Sequence, residues 1–297
     1  MPFRFIFPIV LWAFTCSLFG QSDSVGVRDI VTKTMEEQWQ LSPSSDKGTF
    51  RITSYKPIYM LLARYSTSPN SLPFSENPDY RAVEPAAYDR VESRLQFSFK
   101  TKIFHNMFFG HGDLWVAYTQ LAHWQVYNEE LSRPFRELNY EPELLLNFPM
   151  KIKFGSAAIR MMGLSFNHQS NGRSLPYSRS WNRIIFHLGM ESDHWQLFLR
   201  PWIRIDDADD ENPKITDFVG RANATFVYSR KQHSLYSILH TDLSLGNHKG
   251  SLELNYLFPI KGTLRGHAQI FHGYGETMID YNHRQTTFGI GLSFVDW

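Results

Sequence analysis

The chain is poor in cysteine: Cys16 is the only one among its 297 residues. Because Cys16 lies in the N-terminal leader described below, the mature protein can form neither a disulfide nor a thiol nucleophile. An excess of charge is also lacking, with 30 Lys and Arg against 29 Asp and Glu. This balance gives no reason to expect a nucleic-acid partner. The G-x-S-x-G and H-E-x-x-H motifs are absent as well, so neither an elbow serine nor a zinc protease site is indicated.

Long apolar runs occur only at the N-terminus. Arg4 is followed by an apolar run from Phe5 to Phe19, and polar residues begin at Gln21. The run is too short to cross a membrane comfortably as a helix. Its order of basic, apolar and polar regions is typical of a secretory signal peptide. We predict a cleaved signal peptide over residues 1–20, followed by an amphipathic or irregular arm over residues 21–49.

The rest of the chain is rich in alternation with a period of two residues. In the segment SLELNYLF, Leu252, Leu254 and Tyr256 are apolar, whereas Glu253 and Asn255 between them are polar. Such alternation is typical of β-strands whose two faces meet different surroundings. Twelve segments of this kind are each long enough to cross a bilayer as tilted strands. They lie near residues 51–67, 91–104, 112–127, 135–150, 157–168, 180–191, 194–205, 216–229, 232–244, 250–260, 263–273 and 285–297.

The alternation predicts an all-β fold, a twelve-stranded antiparallel transmembrane β-barrel over residues 50–297. The outer face of such a barrel is apolar and its interior polar, and closure leaves no unpaired strand edge. A soluble β-sandwich is the alternative. It would account for the alternation, but not for Arg and Glu side chains on one face of strands whose other face is uniformly apolar.

The stretch HQSNGRSLPYSRSWNR, residues 168–183, concentrates polar side chains between two alternating apolar segments. Parity places His168, Ser170 and Asn182 on the apolar face, which in a barrel meets lipid. With a hairpin centred near Leu175, His168 lies opposite Asn182 and two residues from Ser170, so that a nucleophile, a base and an orienting amide can act in line. A polar loop at the level of the lipid headgroups is the alternative. A polar triad facing acyl chains is otherwise hard to explain.

A second polar run, DDADDENP at residues 206–213, is partly similar to a calcium-binding EF-hand loop. It lacks the central glycine and the spaced closing glutamate of that motif. We therefore interpret it as an acidic surface loop.

At this point the sequence resembles a known family, the outer-membrane phospholipase A of Gram-negative bacteria. The resemblance covers nearly the whole mature chain, and its central motif is highly specific. It implies a twelve-stranded barrel in the bacterial outer membrane that hydrolyses acyl ester bonds of phospholipids and lysophospholipids. It also implies that Ser170 is the nucleophile, His168 the general base and Asn182 the orienting residue. Among the stretches that carry it are NHQSNGRSLPYSRSWNR (167–183), AYTQ (117–120) and GYGETMIDYNHRQT (273–286).

The resemblance further implies a calcium ion and a homodimer. Calcium would be bound by the Arg173 carbonyl and Ser178, with Ser132 of the partner subunit as a further ligand. The ion and the Ser170 backbone N–H would stabilise the oxyanion. Gln120 would form a hydrogen bond across the dimer interface, because a polar group buried in lipid needs such a partner.

Leu175 departs from the family pattern. The family commonly has an acidic calcium ligand immediately before the proline of this hairpin, and this chain has Leu175 there. A hard-cation site is weaker without that carboxylate. Three alternatives follow: looser calcium binding, a Glu or Asp from another loop, or a smaller role for calcium.

Two other functions stay open beside ester hydrolysis of phospholipids. One is a pore or structural barrel without catalysis, which leaves the lipid-facing triad unexplained. The other is a different lipid-modifying barrel, such as a lipid A deacylase, which also uses a His–Ser pair facing lipid.

Overall fold

Thirteen β-strands form one sheet in the computed structural model, which describes residues 33–108, 110–242 and 249–295. All strand pairs are antiparallel, and β13 closes the sheet by pairing with β2. The strands are β1 (Ile52–Ser54), β2 (Ile58–Ser66), β3 (Val91–Phe104), β4 (Asp113–Trp124), β5 (Phe135–Phe154), β6 (Ala157–Ser170), β7 (Ser180–Glu191), β8 (Trp195–Ile205), β9 (Ala222–Arg230), β10 (His233–Thr241), β11 (Gly250–Lys261), β12 (Leu264–Gly273) and β13 (Gln285–Val295).

The closed sheet is a barrel with twelve strand positions. β1 and β2 both pair with β3, with Ile52 opposite Thr101 and Tyr59 opposite Gln96. The two short strands therefore share one position, interrupted at residues 55–57. The twelve-stranded antiparallel barrel predicted from the sequence is confirmed.

Side-chain burial follows the predicted alternation. On β11, Leu252, Leu254 and Tyr256 are exposed on the outer face, whereas Glu253 and Asn255 are buried in the lumen. The exposed apolar side chains of successive strands form a band around the barrel, as lipid contact requires.

The two ends of the barrel differ in their connections. Turns of two or three residues join β5 to β6, β7 to β8, β9 to β10 and β11 to β12. Long segments cover the other end, at residues 67–90, 206–221 and 274–284. In bacterial outer-membrane barrels the short turns are periplasmic and the long loops extracellular. The β6–β7 connection, residues 171–179, lies at the long-loop end.

Buried ion pairs fill the long-loop half of the lumen. Glu92 accepts hydrogen bonds from Arg64 at 2.7 Å and from Arg136 at 2.9 Å, and Arg136 also donates to Asp280 at 2.9 Å. All four side chains are at most 5% exposed. Buried charges persist only when they are paired in this way. The network joins β2, β3 and β5 to the 274–284 loop.

A short helix, α1 (Met35–Trp39), lies inside the other end of the lumen. Thr34 caps it with a capping box. The Trp39 ring lies 5.8 Å from the ring of Trp115 and 4.2 Å from Lys100 Nζ. Part of the predicted arm is thus packed in the lumen and enclosed by the barrel wall. The predicted signal peptide lies outside the described residues.

The strand predicted over residues 216–229 is wrong in its first part. Residues Ile215–Val219 form a second short helix, α2, and β9 begins at Ala222. Gly220 separates the two at φ 91°, where a Cβ would lie 2.2 Å from the Thr241 backbone. The first and last residues of α2 are one helical turn apart and both are buried in an aromatic cluster, which favours the helix. Neither α1 nor α2 is long or apolar enough to span a membrane.

Candidate active site

The polar end of the β6–β7 hairpin has the register predicted from the sequence. His168 lies opposite Asn182, and Ser170 lies opposite Ser180. His168, Ser170 and Asn182 are half-buried, and the next side chain on the same face of β6, Phe166, is 49% exposed. The three polar side chains therefore continue the apolar outer face at its long-loop end.

A short hydrogen bond orients the histidine. His168 Nδ1 lies 2.8 Å from Asn182 Oδ1. Because an amide oxygen only accepts, Nδ1 carries a proton, and the neutral ring of this tautomer has on Nε2 the lone pair that can take a proton from a hydroxyl. Asn182 fixes this tautomer without adding a charge to the face that meets lipid. In the described part of the chain, Ser170 Oγ forms no hydrogen bond, and such contacts often tighten only when substrate binds.

Asn171 clamps the loop that follows the serine. Its side chain accepts hydrogen bonds from the backbone N–H groups of Arg179 at 2.9 Å and Arg173 at 3.3 Å. It donates to the Tyr177 carbonyl at 2.8 Å and to Glu137 in the lumen at 3.4 Å. One buried amide therefore holds both ends of the loop and anchors it to β5. Sequence analysis missed Asn171, although its odd position directly after Ser170 indicates a lumen-facing side chain.

Arg179 fixes the second half of the same loop. It is fully buried and donates to the Ser178 carbonyl at 2.6 Å and to the Tyr80 carbonyl at 2.9 Å. Burial lowers the pKa of Arg179. Burial and a hydrogen bond to Asp209 raise the pKa of Tyr80 to about 12. The loop is thus held by a guanidinium that contacts backbone carbonyls of two different segments.

Gly172 lies where a side chain would not fit easily. Its φ is 63°, and a Cβ would lie 3.0 Å from the ring of Tyr140, which pairs with Ser170 across β5 and β6. Only glycine adopts this backbone at low cost. The chain therefore turns sharply two residues after the candidate nucleophile.

Ser178 contacts a carboxylate from the acidic 206–213 loop. Its Oγ donates to Glu211 Oε1 at 2.5 Å, and Glu211 Oε2 is buried with no hydrogen-bond partner among the described residues. The loop interpreted as an acidic surface loop thus turns one carboxylate inward to the hairpin, while Asp206 and Asp207 are exposed. Leu175 at the hairpin tip is 59% exposed.

The other two residues predicted to bind calcium lie in different connections of the barrel. Arg173 lies in the same hairpin as Ser178, whereas Ser132 is exposed in the β4–β5 connection with φ 59°. No group of three or more His, Cys, Asp or Glu side chains that could hold a metal occurs among the described residues. A cation here would depend on hydroxyl, carbonyl and single-carboxylate oxygens.

Gln120 lies on the outer face of β4. It pairs with Phe97 on β3 and Tyr140 on β5, and the Tyr118 hydroxyl donates to its Oε1 at 3.3 Å. Phe97 is 52% exposed. A carboxamide among exposed aromatic side chains is unusual on a surface that meets lipid.

Comparison with known proteins decides the family. Residues 35–294 match the family model for phospholipase A1. The chain belongs to the phospholipase A1 family. Its relatives include a putative phospholipase A1 of Neisseria meningitidis serogroup B, 38% identical over 93% of this chain and 73% of that protein. Phospholipase A1 of Escherichia coli K12 is 31% identical over 98% of this chain and 96% of that protein.

Solved structures of the family share the barrel. Outer membrane phospholipase A from Escherichia coli matches with a TM-score of 0.73 at 31% identity, over 82% of this chain and 94% of that one. A Salmonella typhi outer membrane phospholipase dimer with bound calcium matches with a TM-score of 0.75 at 30% identity, over 84% of this chain and 95% of that one. The family resemblance and the fold predicted from the sequence are confirmed.

Proposed function

We propose that this outer-membrane enzyme is a phospholipase A whose catalytic triad is Ser170, His168 and Asn182. It cleaves acyl ester bonds of phospholipids and lysophospholipids from the lipid side of the barrel wall. Family membership supports this reaction class. The observation that carries the triad is the 2.8 Å hydrogen bond between His168 Nδ1 and Asn182 Oδ1, at the end of an apolar outer face.

The proposed reaction has two halves. Ser170 Oγ attacks the ester carbonyl carbon while His168 Nε2 takes the hydroxyl proton, and the resulting intermediate collapses when His168 returns that proton to the departing glycerol oxygen. The acyl chain is then bound to Ser170. In the second half, His168 Nε2 takes a proton from water, whose oxygen attacks the acyl carbon. The bond to Ser170 Oγ then breaks, His168 returns the proton to that oxygen, and the fatty acid leaves. Asn182 holds the imidazole in one tautomer throughout, and the Ser170 backbone N–H faces the developing oxyanion.

Calcium is the expected cofactor, because a family member from Salmonella typhi binds it. In this chain Glu211 supplies the carboxylate that Leu175 lacks. It lies against Ser178, and its buried Oε2 has no partner in the part of the chain that the structure describes, as expected of a cation ligand. The Arg173 carbonyl would be a third ligand. When bound, calcium would polarise the ester carbonyl as a Lewis acid.

A homodimer would complete this site. The Salmonella typhi relative is a dimer. In this chain, Ser132 of the partner subunit would approach the ion bound at Ser178. Gln120 would bond to its copy across the interface, which satisfies its amide in the membrane.

The decisive experiment is hydrolysis of phosphatidylcholine by detergent-refolded protein, with calcium or with a chelator. We expect Ser170→Ala to lose activity by about a thousandfold or more while the barrel still folds, and chelation to lower the wild-type rate. Undiminished hydrolysis by folded Ser170→Ala contradicts the proposal. Acyl release from lipopolysaccharide but not from phosphatidylcholine would favour a lipid A deacylase, and ion conductance without hydrolysis would favour a pore.

A further inference from the structure

A band of polar side chains on the outer face has no part in the proposed reaction. It crosses β3, β2, β13 and β12 at the long-loop end of the barrel, in the headgroup region of a membrane. All its members are exposed or half-buried. This outer polar band consists of Tyr65, Thr67, Arg90, His272, Arg284 and Thr286.

Two hydrogen bonds hold the Arg90 side chain at the end of β2. Its Nη1 donates to the Tyr65 hydroxyl at 3.2 Å and to the Thr67 carbonyl at 3.1 Å. Its other guanidinium N–H groups form no hydrogen bond with the described residues and stay available to a ligand.

Arg284 is held in a similar way by β12. Its Nη2 lies 3.0 Å from His272 Nε2, and His272 Nδ1 lies 2.7 Å from Thr286 Oγ1. Because Arg284 can only donate, His272 accepts through Nε2 and donates through Nδ1. The Thr286 backbone N–H donates to Thr67 Oγ1 at 3.2 Å, which joins the two arginine sites into one network.

Neither guanidinium charge is neutralised by a carboxylate of the described residues. Within the described residues neither Arg90 nor Arg284 forms an ion pair, although Asp89 precedes Arg90 in the chain. Arg133, which is also exposed at the long-loop end, differs because it pairs with Glu129 at 2.5 Å. Two fixed positive charges with free donors are suited to an anion.

The surroundings of the band indicate what kind of anion it meets. Directly towards the membrane from Thr286 and His272, the outer face is apolar: Phe288, Ile290 and Ile270 are 48%, 60% and 46% exposed. Arg90 and Arg284 stand two strands apart, about 10 Å at the strand spacing of sheets. Long side chains at that separation can converge on one group at the top of an acyl chain.

We propose that the outer polar band binds the phosphate of an anionic membrane lipid. Arginine recognises phosphate through parallel hydrogen bonds, and basic residues at a membrane surface attract anionic lipids. In the strand order, the band lies about half the barrel circumference from the β6–β7 hairpin. The bound lipid is therefore a second lipid beside the substrate.

The test compares lipid retention by the full-length barrel in detergent, followed by native mass spectrometry. The probe is dialkyl-ether phosphatidic acid, which has a phosphate monoester but no ester for the enzyme to hydrolyse, and dialkyl-ether phosphatidylcholine is the zwitterionic reference. We expect wild type to prefer phosphatidic acid, and Arg90→Gln with Arg284→Gln to weaken that preference by tenfold or more. At about fivefold per arginine, two charges predict a loss of this size.

Arg133→Gln is the matched control, because it removes an extracellular arginine that is already paired. It should retain the wild-type preference, and the double variant should hydrolyse phospholipid at the wild-type rate, which shows that it is folded. Equal retention by the double variant, or an equal loss in Arg133→Gln, overturns the proposal. Displacement of the lipid by millimolar inorganic phosphate overturns the assignment to a lipid and identifies a site for free phosphate.

Discussion

The outer and inner faces of the β6–β7 hairpin differ in how fully their polar side chains are hydrogen-bonded. On the outer face, His168 and Asn182 share one hydrogen bond and Ser170 has none in the described structure. On the inner face, Asn167 donates to Glu141 at 3.0 Å and accepts from Arg183 at 3.1 Å, and both Asn167 and Arg183 are buried. The inner network therefore supplies rigidity, whereas the outer side chains keep the free lone pairs and hydroxyl that a reaction needs.

The largest effect should follow from the outer face. His168→Ala removes the proposed general base, and general-base catalysis together with the activated nucleophile is worth about a thousandfold or more. Because His168 has a single side-chain partner, the free energy of unfolding should change little. Initial rates on phosphatidylcholine and equilibrium urea unfolding of refolded protein measure the two quantities. A stability loss as large as that of an inner-face variant would contradict the separation of the faces.

A smaller loss of activity, with a loss of stability, should follow from the inner side of the loop. Asn171→Ala leaves the Tyr177 carbonyl and the Arg179 N–H without their buried partner, which costs about 2 kcal/mol. Loss of the clamp also lets the loop after Ser170 shift, and a misplacement of about 1 Å can cost about a hundredfold in rate. Asn171 is thus a positioning residue.

Asn167→Ala is the matched control for Asn171→Ala. It removes a buried amide of the same type four residues earlier, on β6, and none of its hydrogen bonds within the described residues reaches the 171–179 loop. We expect similar destabilisation by urea unfolding and a rate within about twofold of wild type, since the loop keeps its anchors. If both variants lose activity in parallel, the effect of Asn171 is general destabilisation and not positioning.

The same division explains what the sequence could predict. Each strand separates lipid from a polar lumen, so the polarity of a residue indicates which face it lies on. That pattern was enough to predict the twelve strands and the pairing of His168 with Asn182. The rest depends on contacts between distant segments. Trp39 lies in the N-terminal arm, and Glu211 lies in the 206–213 loop. Neither segment has a periodic pattern, so the sequence does not predict that Trp39 packs in the lumen or that Glu211 contacts Ser178. The strand predicted from residue 216 begins only at Ala222, because Ile215 and Val219 are buried at the i, i+4 spacing of a helix.

A moderate effect on activity should come from the orienting amide. Asn182→Ala removes the hydrogen bond that orients His168, and a bond worth about 1.4 kcal/mol corresponds to about tenfold in rate. Asn182→Asp keeps an acceptor oxygen opposite Nδ1 and should retain most of the activity. A rate for Asn182→Asp as low as that of Asn182→Ala would show that the acceptor is not what matters.

The smallest effect should come from the 206–213 loop, and it should appear only at low calcium concentration. Glu211→Gln removes the carboxylate that we assign to calcium and should raise the calcium concentration for half-maximal activity several-fold, with full activity restored in excess calcium.

Leu175→Asp adds a carboxylate at the exposed hairpin tip and should lower the calcium concentration for half-maximal activity, because each added anionic oxygen strengthens a hard-cation site. Asp193→Asn, which removes an exposed carboxylate from the β7–β8 turn at the opposite end of the barrel, is the control and should leave it unchanged. Since Leu175 is exposed and Glu211 is held by Ser178, opposite shifts from the two variants would locate the cation between the hairpin and the 206–213 loop. A Glu211→Gln variant with an unchanged calcium requirement would exclude this loop as the source of the ligand.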